Sequence, residues 1–388
     1  MTLLRHAGIA IAAVIVLLVL SSKLDAYRQY QLAQVAATVI AVAGLTVLIG
    51  ISGQISIGHG AFMFVGGYAT ALLVMHLNWP LYLVIVASAV VAGLAGAIMG
   101  AAAARLRGPY LAGATLMLAV ALPAVAYQWQ GVFGGDQGLD FTVTTPGFLG
   151  ASFQLTEWQA WVCCVCAVIV LLLLANLLRS RVGRSWRALR DNETAAALAG
   201  LNVGRLRVLA FVVSASCAGV AGSLLAMTML NVTPGAFTLA LSIQLLTAVV
   251  LGGLGSLAGA VWGGIVLVLI PPFLTNFAAS HGFSAASASV PVAGYGLVLI
   301  VVMLAFPAGI QGGVRRLLGP LAPSTPAAPG AAGVLGAKGP ASALRRSRLA
   351  GWRPGRAATE SGPEDGQVGD GEPPRLPQRT DGIEEGTR

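Results

Sequence analysis

The residues of this chain that could do chemistry are few, and they cluster. Seven of the twelve Lys and Arg side chains in the first 310 positions fall within residues 179–207, R-S-R-V-G-R-S-W-R-A-L-R-D-N-E-T-A-A-A-L-A-G-L-N-V-G-R-L-R. Arg187 and Asp191 are four apart and Arg190 and Glu193 three apart, within pairing reach on a helix. Read as one helix over 184–199, the segment sets Trp186, Leu189, Ala196 and Ala197 near one side. Gly200 ends it and Asn202 lies in the turn beyond. Two alanines followed by x-x-x-Gly make a small-residue surface over which a partner's groove can close. The types present suit docking, not bond making.

A second cluster is G-I-S-G-Q-I-S-I-G-H-G-A-F, residues 50–62, where Gln54, Ser56 and His59 stand among Gly53, Gly58 and Gly60 in apolar sequence. A polar or ionisable residue at membrane depth marks a solute or ion path by default. Backbone broken by glycine at that depth needs partners from protein or from a water-lined cavity. A second break, L-G-G-L-G-S-L-A-G-A at 251–260, carries Gly253, Gly255 and Ser256. The stretches L-T-V-L-I-G-I-S-G-Q-I-S and L-T-A-V-V-L-G-G-L-G-S-L are alike, which hints at an internal repeat. Both breaks read as linings of a translocation path or gate. Glycines that only let helices pack closely are the competing reading, and His59 at a solvated edge would be bland.

Other residues point away from chemistry. The C-C-V-C run of Cys163, Cys164 and Cys166, with Cys217, has no His or acid nearby to complete a metal site, and reads as apolar filler. No G-x-x-x-x-G-K-[ST] phosphate loop occurs, so the chain does not hydrolyse nucleotide by itself. No carboxylate sits in a confident apolar span, where an ion-coupled carrier needs one. The energy for any transport must therefore come from another chain.

Those clusters need elements to hold them. The chain has 388 residues, 56% hydrophobic and 10% charged, with a mean hydropathy of +0.82. A soluble domain carries about 25% charge, so this is an integral membrane protein. The net charge of +9 does not imply nucleic acid, because Arg and Lys gather at span ends and in the tail. Apolar segments near 7–22, 30–51, 60–77, 81–104, 110–130, 159–178, 208–230, 238–253, 259–275 and 292–310 predict an all-α polytopic transmembrane helical bundle of about ten spans. The first is read as uncleaved, since S-S-K-L-D-A-Y is a poor cleavage site.

Basic loops at 105–107, 179–207 and 315–316 face the cytoplasm, and 131–157, with Gly135, Asp136, Asp140 and Glu157, faces outside. Both termini then lie in the cytoplasm, unless 30–77 or 238–275 is re-entrant. Lys23 and Arg28 fall outside, partly offset by Asp25. The membrane domain is 1–317, with 179–207 as its cytoplasmic loop. Residues 318–388, rich in Pro, Gly, Ala and Arg, bury too little to offset their ordering entropy and read as a disordered cytoplasmic tail.

Four segments carry a resemblance. They are G-L-T-V-L-I-G-I-S-G-Q-I-S-I-G-H-G-A-F-M-F-V-G-G-Y (44–68), L-R-G-P-Y-L-A-G-A-T-L with G-G-D-Q-G-L (106–116 and 134–139), G-R-S-W-R-A-L-R-D-N-E-T-A-A-A-L-A-G-L-N-V (183–203), and L-L-T-A-V-V-L-G-G-L-G-S-L-A-G-A-V-W-G (245–263). With F-P-A-G-I at 306–310 they span roughly 30–312 and resemble the LivM-type permease subunits of branched-chain amino acid ABC importers. The plain segment 140–158 and the long tail depart from the commoner form.

The resemblance implies a transporter subunit, not an enzyme, in a bacterial inner (plasma) membrane. It implies a LivH-type second permease, two cytoplasmic ATPase subunits that hold ATP and Mg, an external substrate-binding protein that meets the 131–157 side, and surrounding lipid. No cofactor is expected on this chain. Glu193, Ala195, Ala196 and Gly200 match the family's coupling motif that docks on the ATPase, flanked by Arg187 and Arg190. Urea or short amides are alternative substrates in the same family. A stand-alone carrier or channel, or a membrane scaffold, are readings from other classes.

Overall fold

The computed structural model describes residues 21–77, 79–106, 109–143, 145, 154–280 and 309–318, with scattered positions between 8 and 19 and between 294 and 304. Part of the expected first span (7–22), most of the last (292–310) and the tail beyond 318 lie outside the described residues.

Eight helical segments among the described residues are long and apolar enough to cross a membrane. In chain order, α1 (Ala26–Leu45) runs into a π-turn (Thr46–Ile51), followed by α2 (His59–Leu77), α3 (Leu81–Arg105), α4 (Pro109–Gln128) and α5 (Leu155–Arg179). Two short helices, α6 (Arg181–Asp191) and α7 (Glu193–Leu198), lead to α8 (Val203–Met229). Then come α9 (Leu239–Gly252), α10 (Leu257–Ser280) and the short α11 (Gly309–Leu318). A two-residue ribbon pairs β1 (Leu139–Asp140) antiparallel with β2 (Asn231–Val232), Leu139 opposite Val232.

Glycine and small residues set how closely these helices approach. Lipid tails are as apolar as leucine, so membrane helices associate through close packing rather than through a hydrophobic drive. A side chain on Gly96 would meet Ala215 and the Phe211 carbonyl, and one on Gly66 would meet the backbone of Gly219. Gly222 lies on the Met63 carbonyl, and Gly44 on Cys217 and Ser214. Helix α8 is thereby wedged between α3, α2 and α1, and its inward residues Phe211, Ala215, Ala218, Leu224 and Met227 are buried. Cys217 is buried in this seam and Cys163 and Cys164 on α5, all free thiols, as filler residues should be. The outward face of α3 bears Tyr82, Leu94 and Ile98, exposed apolar residues suited to lipid.

The end of α1 is loosened by its own hydroxyls. Thr46 Oγ1 donates to the Val42 carbonyl and Ser52 Oγ to Leu48, each at 2.7 Å. The Ser52 and Gln54 amides reach back to Val47 and Leu48, in the wider winding of a π-turn.

The two ends of the bundle are distinct. At one, the end of α1, the start of α8, α6, and the turn between α9 and α10 come together. At the other, Gln159 on α5 donates to the Met227 carbonyl at 2.8 Å, and Thr156 donates to Gln29 at 3.0 Å. The first is the Arg-rich end, where Arg187, Arg190 and Arg207 gather.

Candidate functional site

The loop at the Arg-rich end is two helices, not the single helix expected over 184–199. Ser180 caps α6, its Oγ accepting from the Val182 amide at 3.2 Å. Trp186 is fully buried and its Nε1 donates to the Leu206 carbonyl at 2.9 Å, which fastens α6 to the start of α8. At Asn192 the backbone is extended (φ −158°, ψ 107°), and the side chain caps α7 by accepting from the Ala195 amide at 2.9 Å. Asparagine competes for backbone donors in this way, and so starts helices better than it continues them.

The break changes the charge pairing expected from helical spacing. Arg187 donates to the Leu178 carbonyl at the end of α5 at 3.0 Å. Arg190 lies 3.4 Å from its neighbour Asp191, and Glu193 pairs with Arg207 at 2.6 Å. Gly200, at φ +82°, closes α7, with the Leu201 amide on Ala196 and the Gly200 amide on Ala197. That is the left-handed glycine cap the sequence called for. Asn202 then caps α8 through the Arg205 amide.

Exposure divides the expected docking residues. Ala195 and Gly200 are exposed, Glu193 is partly exposed, and Ala196 is buried against the bundle. Leu198, which sequence reasoning passed over, is 86% exposed. Only the position of the break decides which way Leu198 points, so its hydropathy alone gave no signal.

The two glycine breaks, far apart in sequence, meet at this loop. Arg190 Nη1 donates to the Gly50 carbonyl at 2.5 Å. Its side chain occupies the space that a side chain on Gly53 would need, and its guanidinium reaches the neighbourhood of Gly255. Gly50 in turn packs on the Gly255 backbone, and Gly309, which opens α11, packs on Gly253. Gly53, Gly253 and Gly255 all have positive φ, of 76°, 116° and 81°, a region open to glycine at little cost. Ser256 Oγ accepts from the Gly259 amide at 3.4 Å, starting α10. Ile55 and Leu254, the apolar tips of the two breaks, are 52% and 56% exposed.

Behind the first break, Gln54, Ser56 and His59 are buried. Gln54 Oε1, Ser56 Oγ and both ring nitrogens of His59 have no hydrogen-bond partner; the Ala41 carbonyl faces the ring without hydrogen-bond geometry. His59 is thus not a solvated edge residue. Gly58 sits on the Thr115 carbonyl, the Ile57 amide donates to Thr115 Oγ1, and the Gly60 amide donates to Ser242 Oγ, both at 3.0 Å. The break is anchored to α4 and α9, and Gln54 Nε2 donates to Ser52 Oγ at 3.0 Å, while Gln54 Oε1, Ser56 Oγ and the His59 ring stay without partners.

Gly135 and Asp136 lie at the opposite end. Gly134, Gly135 and Gly138 take positive φ in a tight turn before β1, with Gly135 buried and Asp136 exposed. Asn231 on β2 closes the turn by donating to the Gln137 carbonyl and to Asp140. Among the described residues no group of His, Cys, Asp and Glu could hold a metal ion.

Residues 28–307 match the family described as the branched-chain amino acid transport system permease component. The chain is 31% identical over 257 residues to the high-affinity branched-chain amino acid transport permease LivM of Escherichia coli, covering 60% of each. It is 28% identical over 305 residues to LivH of Salmonella typhimurium, covering 69% of this chain and 89% of that one. A probable LivM of Methanocaldococcus jannaschii is 24% identical over 237 residues, covering 59% of this chain and 68% of that one. The chain spans about 60% of the length of the LivM relatives it matches. No solved structure matches it. Eight apolar helices and a match over residues 28–307 make this multi-pass membrane protein a member of the branched-chain amino acid transport permease family.

Proposed function

We propose that this chain is one of two permease subunits of an ATP-driven importer of branched-chain amino acids in a bacterial inner membrane. The observation that carries the reading is Arg190, which ties the α6–α7 loop to the Gly50 carbonyl of the first glycine break, itself packed on Gly255 of the second. A force on α7 from outside the bundle would reach, through α6 and Arg190, the turn after α1 and the turn between α9 and α10.

The positive-inside bias assigns the Arg-rich end to the cytoplasm. Two ATPase subunits carrying ATP and Mg dock there, over Ala195, Leu198 and Gly200, beside the exposed Ile55 and Leu254. A LivH-like permease pairs with this chain in the lipid, as the similarity to both LivM and LivH supports. A substrate-binding protein delivers solute at the opposite end, near Asp136. When the ATPases close, the loop moves as a lever. The break after α1 shifts, and Gln54 Oε1, Ser56 and His59 exchange their unsatisfied burial for water or solute partners. Buried polar groups without partners are rare in a resting fold, and a second state that satisfies them accounts for these.

The test is Leu198→Asp. The charge lands on an exposed side chain, so membrane insertion and thermal stability should be unchanged. Co-purification with the ATPase subunits and leucine uptake should both be lost. Retained co-purification with normal uptake would show that the motor does not grip this surface.

A further inference from the structure

A cavity of about 470 Å³ opens between α1, α2, α8, α9 and α10, within the usual range for small-ligand sites of about 300–1,000 Å³. One wall is a polar stripe on α1, Tyr27, Tyr30, Gln31, Gln34 and Thr38, recurring at helical spacing. Gln31 donates to the Tyr27 hydroxyl at 3.1 Å and Gln34 to Tyr30 at 2.7 Å. Each amide is held by its NH₂, which leaves its carbonyl oxygen as a preset acceptor. Gln244 lies on the α9 wall, and no lining residue is charged.

The backbone supplies what the side chains lack. Pro271 and Pro272 lie inside α10 and have no N–H to give to the carbonyls of Leu267 and Val268, and all four residues line the cavity. On another wall, α9 begins after Thr238, which makes no side-chain cap, and Ala236, Phe237 and Leu241 beside that start are lining residues. First-turn amides of an uncapped helix favour a carboxylate, and freed carbonyls favour a cation. Met63, Phe237 and Leu245 give an apolar floor.

We propose that this cavity is the transient site for a zwitterionic amino acid with an uncharged side chain. The ammonium sits on the freed α10 carbonyls and the Gln31 and Gln34 oxygens. The carboxylate sits at the start of α9, and the side chain lies on the apolar floor. A solute with net charge is excluded, because no lining group would balance it once water is left behind. The assignment rests on the permease reading and names where in this chain the solute pauses.

The experiment uses the full chain in proteoliposomes with its partner permease, ATPases and binding protein. Pro272→Ala restores a backbone N–H and improves the helix, so a loss of transport cannot be blamed on misfolding. Pro272→Ala and Gln34→Leu should each lower radiolabelled leucine uptake about tenfold, and each complex should still co-purify with its ATPases. Gln34→Cys should react with a water-soluble thiol reagent, above the background of the native cysteines, and leucine should protect it. Unchanged uptake in both variants overturns the site. So does labelling by a lipophilic maleimide only, which puts acyl chains there, or cross-linking to the partner permease, which puts a helix there. If the wild-type complex takes up no leucine the permease reading falls, and leucine protection of Gln34→Cys still decides the cavity.

Discussion

At the scale of single residues, Arg190 stands out because its stem packs on Gly53 and its guanidinium donates to the Gly50 carbonyl. A charged donor on a buried carbonyl contributes more than a neutral hydrogen bond, about 1.5–3 kcal/mol. Arg190→Ala should therefore slow uptake ten- to a hundredfold while the complex still assembles. Arg190→Lys should recover part of the activity, since one ammonium can reach the Gly50 carbonyl but cannot fill the fork. Transport rates in reconstituted vesicles, with co-purification as the control, check both. The glycines separate by cause. Gly50→Ala drives a methyl into the Gly255 backbone and should destabilise by about 1–3 kcal/mol, seen as a lower melting temperature in detergent. Gly200 has open space around it and only its positive φ to defend. Gly200→Ala should cost about 1 kcal/mol, through the left-handed conformation alone.

At the scale of elements, the α6–α7 pair shows what periodicity misses. Residues 184–199 have helix-prone composition, and the expected single helix fails at one residue, Asn192, whose side chain takes the Ala195 amide. The local competition was visible in the residue type, yet its outcome depends on Trp186 being held by Leu206 and on Arg207 waiting for Glu193. Both partners lie beyond the loop's own helical period. Asn192→Ala should destabilise the loop by about 1 kcal/mol and let α6 run into α7. Hydrogen exchange on residues 193–200 would report the change, and unaltered protection there would mean the cap is not what divides the helices. The resemblance between the two glycine breaks was legible as a repeated string. Their contact was not, because nothing local brings Gly50 to Gly255.

At the scale of the whole molecule, eight of the ten expected spans appear as helices, with ends shifted by a few residues. The other two fall only partly within the described residues, and the tail beyond 318 lies outside them. The Pro- and Gly-rich tail contributes few large apolar groups. Deleting residues 319–388 should leave uptake within about twofold, since such a segment has little with which to pack; a complete loss would give the tail a part in assembly. Composition by itself determined that the chain lives in lipid, because 10% charge cannot solvate a protein of this size, and motif order determined its family. Glycine and cap positions determined where helices stop, since those limits are set by φ and by donors within a few residues. Tertiary structure alone decided that Ala196 is buried while Leu198 is exposed, that His59 is sealed from water, and that Arg190 joins two distant breaks. Burial and close backbone contact depend on which helices become neighbours, and that choice is made by packing across the bundle rather than along the chain.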